Sequence, residues 1–196
     1  MVVGEDLGTV PEGFRERMAE ADVLSYRVLY FEQDPQTGAF RPPDRYPSQA
    51  LAVVGSHDLP TLRGWWEGRD LDLKEQLGLF PQPGEAARQR QARERDRRQL
   101  LEALRRERLL ADNEEPDIPS LARAVHAFLA RTPCALAMAQ IDDLSDEADP
   151  VNIPATSDEH PNWRRRLSMT LEELAARPRF NDIAEIFRTE RGSRNV

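Results

Sequence analysis

The chain has 196 residues, of which 39% are hydrophobic, and 35 acidic side chains against 27 basic ones give a formal net charge of −8. This length suits one ordinary domain or most of a larger one. The acidic balance excludes a general nucleic-acid binder, whose affinity depends on neutralising phosphates with Lys and Arg. A single cysteine, Cys134, rules out an intrachain disulfide framework, and within the apolar run 134–139 it reads as a small buried hydrophobe. No apolar run reaches the roughly 20 residues of a membrane helix, and no targeting pattern opens the sequence. The expectation is a soluble, cytoplasmic protein.

Residues 1–4 read as a strand that runs at once into the charged turn Glu5-Asp6-Leu7-Gly8. A strand at the first residue, with no disposable lead-in, suggests a chain that starts inside a domain. Thr9-Val10-Pro11-Glu12 looks like a helix start, which predicts a helix to about Ala21. A second strand is expected over residues 22–31, followed by a Pro-, Gly- and Asp-rich loop over 33–47. A third covers 50–54 and leads into Gly55-Ser56-His57-Asp58, behind which residues 61–67 open a helix.

Residues 85–110 form a long charged helix. Glu94 with Arg98 and Glu102 with Arg106 are favourable i,i+4 pairs, and Leu100, Leu101 and Leu104 give a narrow apolar stripe. Its interleaved acids favour a solvated face over nucleic-acid binding, and residues 81–117 read as a charged helical insertion within one domain, 1–196. A helix over 118–130 carries Leu121, Ala124, Val125, Phe128 and Leu129 on one side, and a fourth strand is expected over 134–141, before Asp142-Asp143-Leu144. Helical pieces over 170–176 and 181–188 close the chain. Short apolar runs alternating with helices indicate an α/β fold with a parallel sheet covered on both faces.

In such folds reactive side chains collect where strands end. Glu5 follows the first strand and Asp58 the third. Two carboxylates at strand ends of one sheet can flank one glycosidic bond. The bland alternative is that Asp58 is a helix N-cap, and position alone favours it. The three histidines, His57, His126 and His160, have no metal-site spacing, so no metal and no cofactor are expected. Trp65, Trp66 and Trp163 could stack on sugars, although aromatic residues are more often core or loop anchors.

Three segments shift the balance. Gly4-Glu5-Asp6-Leu7-Gly8-Thr9-Val10-Pro11 resembles the acid/base motif of the 4-α-glucanotransferases, also called amylomaltases or disproportionating enzymes. Ser56-His57-Asp58-Leu59-Pro60-Thr61, with Gly64-Trp65-Trp66 beyond it, is similar to their third-carboxylate motif. Val151-Asn152-Ile153-Pro154-Ala155-Thr156 and Pro161-Asn162-Trp163-Arg164 resemble their C-terminal signature, and Gln140-Ile141-Asp142-Asp143-Leu144 fits the strand before it. The segments come in the family's order and run nearly the length of the chain. Ala155 departs from the pattern, which usually has Gly there.

The resemblance implies the last four strands or so of a (β/α)₈ barrel. It makes Glu5 the general acid/base, with a pKa raised towards neutrality, and Asp58 the stabiliser of an oxocarbenium-like transition state. His57 and Asn152 would bind sugar hydroxyls, and Asp6 would hold a hydrogen bond only. Its substrates would be α-1,4-glucans (maltodextrins, maltose, glucose), with retaining transfer of a glucan segment to an acceptor. The family's nucleophilic aspartate belongs to the preceding strand, which residues 1–196 do not include. The chain by itself is therefore expected to be inactive and prone to self-associate through open sheet edges. Two other classes stand beside this one: a non-catalytic carbohydrate-binding remnant using His57, Asp58 and Asn152, and an interaction module using the helix over 85–110.

Overall fold

Four short strands, β1 (Val2–Gly4), β2 (Val23–Val28), β3 (Ala50–Val53) and β4 (Leu136–Ala137), form one sheet in the order β1-β2-β3-β4, and every pairing is parallel. The computed structural model describes residues 1–113 and 115–192; position 114, inside the expected insertion, lies outside them. Strand neighbours in sequence are neighbours in space, as in an arc of a barrel. Register pairs Gly4 with Ser25, Tyr26 with Leu51 and Leu51 with Leu136. Because all four strands run one way, their carboxyl ends share a single rim.

Eight helices connect or follow the strands: α1 (Phe14–Glu20), α2 (Leu62–Glu67), α3 (Arg69–Gln76), α4 (Glu85–Arg106), α5 (Ile118–Ala130), α6 (Ile141–Ser145), α7 (Leu171–Ala176) and α8 (Pro178–Gly192), counted among the described residues. One face of the sheet, through Ala50, Ala52 and Val54, packs with Leu100 and Leu104 of α4 and Leu121, Val125 and Phe128 of α5. The leucine stripe of α4 is therefore core, and so is the apolar side of α5. The other face gathers Val28, Leu51 and Val53 with Leu7, Tyr26, Tyr30, Leu59 and Leu136. Small Ala side chains on the helix-facing side let the helices approach closely, while bulkier residues fill the opposite face.

Several expected boundaries move. The first helix starts at Phe14 because Gly13 is left-handed, with φ 71°, so Pro11 stands in the preceding turn. The second strand ends at Val28, and Leu29–Phe31 is a 3₁₀ turn leading to the buried Glu32. The loop over 33–47 is irregular as expected, yet it anchors in the core through Phe40 and Tyr46. Helix α4 stops at Arg106, before Arg108 takes a left-handed φ of 58°. The fourth strand keeps only Leu136–Ala137, because it pairs with β3 alone and residues 141–145 wind into α6. Helix α3 was not anticipated, and α8 is longer than the helix expected over 181–188.

The charged helix α4 is held inward by ion pairs. Arg93 forms a forked pair with Asp70 at 2.8 and 2.9 Å, donates to the Trp65 carbonyl, and lies 4.9 Å from the Trp65 ring centroid. Arg97 sits 4.4 Å over Trp66, and Arg90 bridges Asp72 and Glu75 of α3. Trp65 and Trp66 are thus core residues capped by guanidinium groups.

Two segments far apart in sequence clamp the rim together. Gln140 Oε1 accepts from the Gly55 N–H at 3.1 Å, Asp143 Oδ1 accepts from the Leu62 N–H at 2.9 Å, and the Thr61 hydroxyl donates to the Glu147 carbonyl at 2.7 Å. Thr61 also caps α2 by accepting from Gly64 N–H at 3.0 Å. The loop from Gly55 to Thr61 is therefore gripped at both ends by residues 140–147. Gly55 and Gly64 permit this approach: a Cβ on Gly55 would lie 3.2 Å from Gln140 Oε1, and one on Gly64 would collide with the Ala148 carbonyl oxygen.

Behind the clamp, Asp143 faces His126 of α5, and both side chains are fully buried. His126 Nδ1 is 2.7 Å from the Ala122 carbonyl, which can only accept, so the ring proton sits there and Nε2 is bare. Asp143 Oδ2 stands 3.7 Å from that Nε2, and neither atom has a hydrogen-bond partner among the described residues. Burial raises the Asp143 carboxyl to about 7, against the opposing pull of the Leu62 N–H. Burial likewise lowers His126 to about 4. Arg179 acts on both groups, and Asp142 on Asp143.

Two predictions follow from this packing. Gly64→Ala should lower unfolding stability by about 1–3 kcal/mol in a denaturant titration, since the Ala148 backbone must move. For the buried pair, Asp143 binds its proton more tightly folded than unfolded, so its contribution falls as pH rises from 3.8 to about 7. His126 does the reverse, and its contribution falls as pH drops from 6.5 to about 4. Between those limits both states of the pair hold one proton and the slopes oppose each other. His126→Leu should therefore give a melting temperature that drops as pH rises from about 4 to 7, and Asp143→Asn one that drops as pH falls from 6.5 to about 4.

Candidate functional site

Glu5 stands one residue beyond β1, exposed, at the rim. Its neighbour Asp6 is turned away and buried, accepting from Ser25 Oγ, Tyr26 N–H and Arg15 Nε, each at 2.7 Å. Burial alone would raise that carboxyl, but these donors outweigh it and hold Asp6 below the usual carboxylate range. Asp6 is the structural anchor of the β1 turn, and it leaves Glu5 directed elsewhere. Burial, and after it the Glu5 charge, raises the Tyr26 hydroxyl above its ordinary value. The Tyr26 hydroxyl in turn donates to the Gly55 carbonyl at 3.4 Å. Tyr26 thus joins the Glu5 end of the rim to the loop that carries Asp58.

That loop is a tight turn, with Leu59 N–H bonded to the Ser56 carbonyl and Asp58 N–H to Ser56 Oγ. The turn presents His57 and Asp58 outward, with side chains 48% and 45% exposed and His57 Nε2 3.4 Å from Asp58 Oδ2. Asp58 does not cap α2, because Thr61 does. Asn152 Nδ2 donates to Asp58 Oδ1 at 2.5 Å across 94 positions of sequence. The structure therefore brings His57, Asp58 and Asn152 together. Strand β2 separates β1 from β3, about 10 Å axis to axis, so the turns carrying Glu5 and Asp58 lie two strands apart on one rim.

The loop after α6 is closed on itself by Asn162. Asn162 Oδ1 accepts from Ile153 N–H at 2.9 Å, and its Nδ2 donates to the Thr156 carbonyl and hydroxyl at 3.2 and 2.7 Å. A cleft of ≈ 280 Å³ opens beside Asp58 and Asn152, lined also by Leu59, Lys74, Phe80 and Ile153. Of the other histidines, His126 is core and His160 is in the loop, and no group of three or more His, Cys, Asp or Glu among the described residues could hold a metal ion. Sequence reasoning missed Tyr26, Gln140, Thr61 and Asp143 as supports of the site. Their supporting contacts to the rim span 29 to 86 positions, so the sequence around each does not reveal them.

Ala155 has φ 67°, a left-handed conformation that glycine adopts more readily. The replacement expected at this position from the sequence pattern thus carries backbone strain. Ala155→Gly should raise the melting temperature slightly, an increment of about 0.5–1 kcal/mol at most once the greater freedom of glycine in the unfolded chain is deducted.

The family model for 4-alpha-glucanotransferase matches residues 1–171. A 4-alpha-glucanotransferase from Haemophilus influenzae is 38% identical over 178 residues, which is 87% of this chain and 25% of that protein. The crystal structure of amylomaltase from Corynebacterium glutamicum superposes with a TM-score of 0.86 at 26% identity, covering 95% of this chain and 28% of that one. An amylomaltase from Streptococcus agalactiae, solved in complex with acarbose, shares the fold with a TM-score of 0.63 at 20% identity, over 96% of this chain and 31% of its own. The chain thus spans about a quarter of the length of the relatives it matches. Its parallel strands and outer helices are the C-terminal part of a (β/α)₈ barrel, and no helix among the described residues is long and apolar enough to cross a membrane. The chain belongs to the 4-alpha-glucanotransferase family.

Proposed function

We propose that this chain supplies the acid/base and transition-state-stabilising half of a retaining glucan-transfer site. The observation that carries the reading is the Asp58 carboxylate, held by Asn152 beside His57 on the rim where Glu5 follows β1. Glu5 protonates the departing glycosidic oxygen, then takes the proton of the acceptor's 4-hydroxyl as the bond re-forms. Asp58, fixed on one oxygen by Asn152, accepts hydrogen bonds from sugar hydroxyls that tighten as positive charge develops on the ring. His57 and Asn152 bind the same sugar. The substrates are α-1,4-glucans such as maltodextrins, with maltose or glucose as acceptors.

The resemblance assigns the nucleophile to a strand N-terminal to β1, outside residues 1–196. We infer from this that residues 1–196 alone perform no transfer, and that residues 81–117 are an insertion supporting the α2–α3 side of the cleft. Exposed Val2 and Val3 on an edge strand make β1 the place for strand pairing, with a preceding barrel strand or with a second copy. The buried lone Cys134 favours a reducing cytoplasm.

Incubation of residues 1–196 with maltotriose should release neither glucose nor longer dextrins, and clear turnover would overturn the division of the site. In a protein that includes the preceding strand, Glu5→Gln should cut transfer by about 10²–10⁴-fold and Asp58→Asn by about 10²–10³-fold. Unchanged activity in either variant would sink the assignment. Maltodextrin binding that Asp58→Asn weakens, without transfer in any such protein, would instead identify a carbohydrate-binding role.

A further inference from the structure

Of the three tryptophans, Trp65 and Trp66 are 5% and 7% exposed and covered by Arg93 and Arg97. Trp163 is 62% exposed, and its ring centroid lies 5.2 Å from that of His57, tilted by 46°. An exposed indole beside an acid–histidine pair offers a flat apolar face next to fixed polar groups. Its backbone is unusual as well: Trp163 has φ 63°, a left-handed conformation that costs a residue with a Cβ roughly 1–2 kcal/mol.

The surroundings fix it there. Trp163 N–H donates to the Val151 carbonyl at 2.9 Å, and the preceding Asn162 locks the loop through Ile153 and Thr156. The same loop holds Asn152 against Asp58. One loop therefore orients both a polar contact to Asp58 and an aromatic ring against His57, before any ligand arrives. A pyranose offers the matching surfaces, a face of C–H groups and an edge of hydroxyls.

We propose that Trp163 is the stacking platform for a sugar ring whose hydroxyls reach His57, Asp58 and Asn152. This rests on the glucan reading of the site and extends it to a residue that determines how that sugar lies. The indole covers the C–H face and excludes water from it, while the edge hydroxyls meet the fixed polar groups. Strain in the loop is retained because relaxing Trp163 would swing the indole away from His57.

The test is titration of the full chain with maltoheptaose, followed by calorimetry and by tryptophan fluorescence, in which Trp65 and Trp66 are shielded. Trp163→Ala should weaken binding roughly tenfold and Trp163→Phe much less, with the melting temperature of both near that of the parent because the side chain is exposed. The fluorescence change on binding should vanish in both variants. Undiminished affinity in Trp163→Ala, alongside weakened binding in Asn152→Ala, would overturn the stacking role and leave the glucan reading standing. Absence of maltoheptaose binding to the parent chain would overturn both.

Discussion

The hydrogen bond from the Leu62 N–H to buried Asp143, with its companion from Gly55 N–H to Gln140, is the constraint on which the rim depends. The loop between Gly55 and Leu62 has no sheet pairing, so only the turn at Ser56 holds His57 and Asp58 locally, and the turn itself is anchored from outside. Fixing both ends of a seven-residue loop removes most of its conformational freedom. The grip comes from residues 140–147, and the same stretch of chain leads into the loop of Asn152 and Trp163. Closing the clamp therefore sets both walls of the site at once. Its low-dielectric backing by His126 makes the Asp143 contact strong and also makes an unmatched charge there costly.

A second constraint keeps the two adjacent acids of the β1 turn in different roles. Asp6 takes three hydrogen bonds and stays buried, which leaves no freedom for its carboxylate. Glu5, one position on the opposite side of an extended chain, stays at the surface of the rim. Tyr26 links the two turns: its N–H donates to Asp6 and its hydroxyl to the Gly55 carbonyl. Helix α4 serves the same end from behind. Its arginines stiffen the α2–α3 wall through Asp70, Asp72 and two tryptophans, which leaves less of that helix available as a free interaction surface.

The sequence by itself determined the class of the sheet, because short apolar runs alternating with helical stretches indicate parallel strands covered on both faces, and the arc of a barrel came from the resemblance of its motifs. It also marked His57, Asp58 and Asn152 as chemically interesting, through the wording of the segments around them. What it could not determine was their meeting. The Asn152–Asp58 bond spans 94 positions, and the Asp143–Leu62 bond 81, so no local pattern encodes either. Helix bounds moved where a left-handed residue intervened, at the start of α1 by Gly13 and past the end of α4 by Arg108. The fourth strand was cut short by the absence of a second neighbour among the described strands, a property of the sheet and not of residues 134–141. Tertiary structure alone decided that Asp6 is an anchor and Trp163 an exposed face, since burial and hydrogen-bond partners exist only once distant segments are packed together.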